Sequence, residues 1–206
     1  MGSVLANDPA TLTRAIDELR TADRVMAKLL KSDPASLRYR FLASSVDMKL
    51  GTALARAGRG AEAAVLFERV TADIPQFLKS VYQTGARSGL VEVSVQLAKI
   101  RAQAGDRRAF ALAELVAKEL AGPPIGRPSV DAATHGELGR VYLELARQTP
   151  GESADLARTA RASLEKSASL WRAATIPKEI ESRRTEALAA LDADLAAARR
   201  LSAPPR

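Results

Sequence analysis

His135 is the only histidine in the chain, and Asp131 lies four residues before it, so on a helix the two share a face. A carboxylate and an imidazole so placed can touch one divalent cation. Two ligands are too few for a dedicated metal site. Ser163 and Lys166 fit the Ser-x-x-Lys spacing in which a lysine activates a serine nucleophile, but no partner motif accompanies them. Asp192 and Asp194 are two apart. On a helix their carboxylates diverge and cannot act as a pair. Gly58-Arg59-Gly60 lacks the Gly, Lys and Ser/Thr that complete a phosphate loop. Cysteine is absent, which removes disulfides and thiolate metal sites. The residues therefore predict no catalytic group, no metal and no cofactor, hence no enzyme. A deep pocket of ionisable groups with perturbed pKa values would reverse that reading.

The chain carrying these residues punctuates itself as helices. Asp8-Pro9 is an N-cap followed by proline at the first helical position. It predicts a helix to about Lys31, with Leu12, Ile16, Leu19, Met26, Leu29 and Leu30 at helical spacing. Asp33-Pro34 repeats the start signal. The helix it opens carries Leu37, Phe41, Val46, Leu50 and Leu54 and ends near Gly58-Arg59-Gly60. A shorter helix runs from Ala61 to about Ala72. Pro75 then opens a long helix, with a break near Gly85 to Gly89 and a stop at Gly105. Asp106 begins a fifth helix, ended by Ala121-Gly122-Pro123-Pro124. Gly122 to Pro128 is a loop. Ser129 or Asp131 starts the next helix, and Thr149-Pro150-Gly151 breaks it. A helix from about Ser153 to Ala173 follows, and Pro177 begins the last one. No period-two strand pattern occurs. The expectation is an all-α protein of about seven to eight helices.

Composition agrees. The 206 residues are 47% hydrophobic and 27% charged, enough for a continuous core. Alanine makes up about a fifth and aromatics 4%, which favours helices that approach closely. No run of about 18 apolar residues exists to cross a membrane, and the first residues lack the charged-then-apolar pattern of a leader, which leaves one upstream open. A cytoplasmic location is expected. Met1-Gly2-Ser3 reads as an expression scar, and residues 202–206 as a disordered tail. The net charge of +7 comes mostly from arginines scattered among acids. It has two readings: a basic face for an acidic protein, nucleic acid or anionic lipid, or arginine-rich codon usage.

One spaced pattern joins the helices: Leu50-Gly51-x-x-Leu54-x-x-x-Gly58-x-x-x-x-Ala63-x-x-x-Phe67-x-x-Val70-x-x-x-x-Pro75. Small residues stand where two helices cross, large apolar residues lie between them, and proline closes the unit. The pattern resembles the tetratricopeptide repeat (TPR). In a second copy Leu97-Ala98 stands for Leu50-Gly51 and Gly105 for Gly58. Arg101 departs from the pattern at the Leu54 position. Phe110 falls where a small residue is expected, and a shift of one residue repairs this through Ala109 or Ala111. The third copy begins Leu138-Gly139-Arg140-Val141-Tyr142, expands its turn, and places Ala160, Leu164 and Ser167 for Ala63, Phe67 and Val70.

The resemblance implies one TPR-like domain over residues 4–201, a right-handed superhelical array of antiparallel helix hairpins. The copies span about 44–77, 91–124 and 132–173, with an N-terminal half-repeat at about 10–34 and a capping helix at about 177–200. The run Leu164 to Arg172 is similar to the last repeat of TPR regions in bacterial signalling proteins, often behind a serine/threonine kinase domain. It implies a docking or regulatory part of a larger protein.

The resemblance also implies a non-catalytic protein-protein interaction scaffold whose first helices line a concave groove. That places Met48 and Thr52 from the first copy on the partner surface, with Glu92, Val95 and Lys99 from the second. Arg140 and Leu143 come from the third. A peptide or helix would lie there, with Lys99 and Arg140 meeting its carboxylates. The other reading makes these ordinary solvated charges. The expected partner is a protein or peptide, an acidic one on the charge argument, with no small-molecule substrate and no membrane. Nucleic-acid binding through a basic face is the second reading, and the scarcity of aromatics for base stacking counts against it. Self-association through an exposed end of the stack is compatible with either. Thr52 replaces the asparagine of chaperone-tail-binding TPR domains. His135 takes a core-lining repeat position, and Trp171 reads as core.

Overall fold

The computed structural model describes residues 9–175 and 181–203. These residues form eight α-helices and no strand. They are α1 (Pro9–Ser32), α2 (Leu37–Arg56), α3 (Gly60–Phe77), α4 (Gln83–Gln103), α5 (Arg108–Leu120), α6 (Pro128–Gln148), α7 (Ser153–Ala173) and α8 (Glu181–Ser202). A 3-10 turn, Pro150–Glu152, lies between α6 and α7. The all-α expectation and the helix number hold. The chain divides into two compact units, Met1–Val93 and Ser94–Arg206. The boundary falls within α4. The Asp8 cap, the Pro177 start, the Met1-Gly2-Ser3 segment and Pro204 to Arg206 lie outside the described residues.

Several helix starts differ from the sequence signals. Ser36, not Asp33, caps α2: its hydroxyl accepts the Tyr39 N–H at 3.4 Å. Asp33 instead closes α1, its N–H reaching the Leu29 carbonyl at 3.0 Å. Helix α6 starts at Pro128, ahead of Ser129 and Asp131. The larger correction concerns Pro75, which lies inside α3 and opens nothing. Proline forfeits one helical hydrogen bond. Continuing the helix, however, buries Ile74 and Phe77 to 3% and 1% exposure. Each is worth roughly 1.5–3 kcal/mol. The chain breaks after Phe77, where the Ser80 hydroxyl donates to the Phe77 carbonyl at 2.7 Å and accepts the Tyr82 N–H at 3.1 Å. Gly85 and Gly89 lie within α4 and do not break it.

In the first unit α2 packs on α1 and α3. Contacts descend α3 as they ascend α2: Ser44 with Asp73, Asp47 with Arg69, Gly51 with Phe67. The pair is therefore antiparallel. Arg20–Glu62 and Asp23–Arg69, both 3.5 Å, run α1 parallel to α3. The two helices approach closely at Gly51, where an added methyl would stand 2.6 Å from Phe67 Cε1. Phe67 and Ala63 are both wholly buried. Asp47 is buried too, and Arg69 grips both its oxygens, one through Nε at 2.6 Å.

In the second unit α6 packs on α7, and α8 lies against both. The Ser167 hydroxyl donates to the Ala132 carbonyl at 2.6 Å, and Gly139 meets Leu164. That glycine contact matches the one between Gly51 and Phe67. Ala109, Ala113 and Val116 are wholly buried while Phe110 is half-buried. The small residue buried at this point is therefore Ala109, one residue before Phe110. Two turns also match. Gly58 and Gly105 have φ of 75° and 72°. In each turn the next N–H reaches back to close the helix, Arg59 to Leu54 and Asp106 to Arg101, both at 2.9 Å. The second turn uses the backbone carbonyl of residue 101, as the first uses that of Leu54. The Arg101 side chain lies 3.8 Å from Asp106.

Candidate functional site

The seven groove residues divide between the two units. In the first, Thr52 follows Met48 by one turn of α2, and its hydroxyl donates to the Met48 carbonyl at 2.8 Å. Both are half-buried. Met48 lines a cavity with Gly85 and Gly89 of α4. Glu92 keeps an exposed edge, yet burial of its carboxyl raises its pKa above the ordinary value while Arg56 opposes the rise.

In the second unit the helices organise a chain of charge. Lys99 of α4 holds Glu137 of α6 at 2.8 Å. Arg140, one turn along α6, donates to the other Glu137 oxygen at 2.8 Å and to Asp194 of α8 at 2.8 Å. The links from 99 to 137 and from 140 to 194 tie three helices through four side chains of alternating sign. Burial alone would raise the Glu137 pKa. The two cations outweigh it and hold the carboxyl below its ordinary value. Burial opposes the charged form of Arg140, but Glu137 and Asp194 raise its pKa regardless. A cavity of about 190 Å³ opens beside this ladder, with Gln103, Glu144 and Arg147 on its wall. Arg147 is itself paired with Glu144 at 2.9 Å.

Lys99 and Arg140 are thus brought together through one carboxylate, and both are already neutralised. A partner carboxylate would exchange with Glu137 or Asp194 rather than meet bare cations. Val95 and Leu143 are each 2% exposed and belong to the core. The repeat pattern points to the two cations and not to their anions. Glu137 stands three residues before Arg140, a spacing that does signal a helical pair. Asp194 comes from a helix far along the chain and carried no such signal.

His135 is half-buried with its Nδ1 unpartnered. Burial, then Lys166, lowers its pKa, while Asp131 opposes. Asp131 accepts the Gly126 N–H at 3.2 Å and so shapes the loop before α6. Asp192 is exposed while Asp194 serves Arg140. Among the described residues no three His, Asp or Glu side chains stand where one metal ion would need them. No helix among them is long and apolar enough to cross a membrane.

No protein-family model matches the chain, and neither the curated proteins nor the solved structures yield a significant match.

Proposed function

We propose that the chain is a TPR-like, non-catalytic scaffold that binds a protein or peptide along the first helices of its hairpins. The observation that carries this is the repeated contact, Gly51 on Phe67 and Gly139 on Leu164, with glycine on the first helix and the large residue on the second. A shared turn at Gly58 and Gly105 adds to it. Repeats of this kind bury each other's apolar faces and leave one helix surface for recognition. In the second unit that surface is the ladder from Lys99 to Asp194. Its alternating charge favours a segment that presents both signs over a purely acidic one. A docking place within a larger signalling protein is part of the same proposal and rests on the run Leu164 to Arg172, while the cytoplasmic setting rests on the lack of cysteine.

Photo-crosslinkers placed at Thr52 and Glu92 test the reading, with Val65 on α3, 65% exposed, as the control position. Saturable adducts with the same protein from both test positions and none from Val65 are expected. Equal capture from Val65 would remove the groove. Capture of nucleic acid, with affinity falling steeply as salt rises, would favour the basic-face reading.

A further inference from the structure

The first unit contains a cavity of about 120 Å³. Phe41, Met48, Val70, Ile74 and Phe77 wall it, and Gly85 and Gly89 of α4 open one side. Neither glycine has the positive φ that would demand glycine. In a helix interior each costs stability relative to alanine. Gly85 has a local reason, since a methyl there would stand 3.2 Å from Phe41 Cζ. Gly89 has none. A methyl there would meet only Met48 Sδ, at an ordinary 3.9 Å, so the space beside it is unfilled. The aromatic wall is held in place: Phe41 lies edge-on to Phe77 at 5.4 Å and stacked on Tyr82 at 4.4 Å.

No lining residue is charged. The polar groups on its wall include the hydroxyls of Ser44 and Ser45, and both protons are in use. Ser44 donates to Asp73 at 3.2 Å and Ser45 to the Phe41 carbonyl at 2.9 Å. Only their lone pairs remain for a ligand. A cavity of about 150 Å³ lined by apolar side chains accommodates benzene. We propose that this cavity binds a small neutral molecule with an apolar body the size of one ring and, at most, a hydroxyl that donates to Ser44 or Ser45. The inference does not rest on the scaffold reading, with which it shares Met48, because the cavity lies within one unit and needs no partner protein.

Titration of the full chain with benzene, phenol and benzoate, read by NMR of the Met48, Val70 and Ile74 methyls, tests it. Saturable shifts are expected for benzene and phenol, with phenol the tighter, and none for benzoate, whose charge the cavity cannot solvate. Gly89→Leu fills the space and should weaken phenol binding by at least about tenfold. Should that variant not fold, Gly89→Ala adds one carbon without a clash and should weaken binding several-fold with the helical signal intact. Three results would overturn the proposal: no saturable shift with either neutral ring, benzoate binding as tightly as phenol, or undiminished binding in a folded Gly89 variant. Benzene binding as tightly as phenol would overturn the hydroxyl preference.

Discussion

Gly139 of α6 lies so close to Leu164 of α7 that a methyl on the glycine would stand 2.6 Å from Leu164 Cγ, with the Ala160 carbonyl oxygen behind it at 3.1 Å. The obstacle is a branched carbon and a backbone atom, neither of which moves freely. Gly139→Ala should therefore destabilise the protein by about 1–3 kcal/mol, despite the better helix propensity of alanine. A lower urea midpoint with an unchanged slope is the expected reading. A midpoint that rises would show that the two helices part without cost.

Gly51→Ala meets a ring instead. Its methyl would stand 2.6 Å from Phe67 Cε1. The same substitution made in a Phe67→Leu background should cost less than it does alone. A coupling of about 0.5–3 kcal/mol is expected from the double-mutant cycle. Strict additivity would mean the two side chains do not compete for space.

Glu137→Gln leaves Lys99 and Arg140 facing each other with one anion fewer. A loss of about 1–3 kcal/mol is expected at neutral pH, measured by denaturant unfolding. The folded Glu137 pKa is depressed. Its stabilisation is thus present above the ordinary 4.5 and fades as pH falls through the folded value. The variant should lose that part of the acid slope.

Asp47 and Asp106 should titrate with opposite signs. Burial, opposed by Arg69, raises the folded Asp47 pKa above 3.8. Its contribution is therefore largest below 3.8 and is lost as pH rises through the folded value. Arg108, through its side chain and its N–H, lowers Asp106 from 3.8 to about 2. That contribution is present above 3.8 and is lost as pH falls through about 2. Stability relative to the parent should fall on acidification for Asp47→Asn and rise for Asp106→Asn. Parallel difference curves would contradict both assignments.

Pro75 is exposed and sits in the last turns of α3. Pro75→Ala restores a helical hydrogen bond and removes no buried surface. The variant should be more stable by about 1–3 kcal/mol, lessened by the looser unfolded chain. Thermal unfolding would read this as a higher midpoint.

The helices were legible where local chemistry decides them. Ser153–Ala173 stood in the sequence as it stands in the fold, and Gly58 and Gly105 marked true turns because a left-handed residue was needed there. Pro75 misled because its start signal is local, whereas the burial of Phe77 that overrides it comes from tertiary packing. Phe110 misled by one residue for the same reason: only the packed neighbour shows that Ala109 faces inward. Of the candidate site, the cations were legible and their neutralisation was not. Asp194 meets Arg140 through a fold that no short window of sequence contains.

The hairpin of α2 and α3 closes through a tight left-handed glycine turn, and that of α6 and α7 through a longer segment with the 3-10 turn Pro150–Glu152. Both nevertheless bring a glycine against one bulky partner. The mating of side chains, and not the length of the connector, therefore sets how one rod slides along the other. The solvent-facing stretch from Pro150 to Glu152 is accordingly a splice point, where extra residues or a nick can be accepted while the two rods keep their alignment.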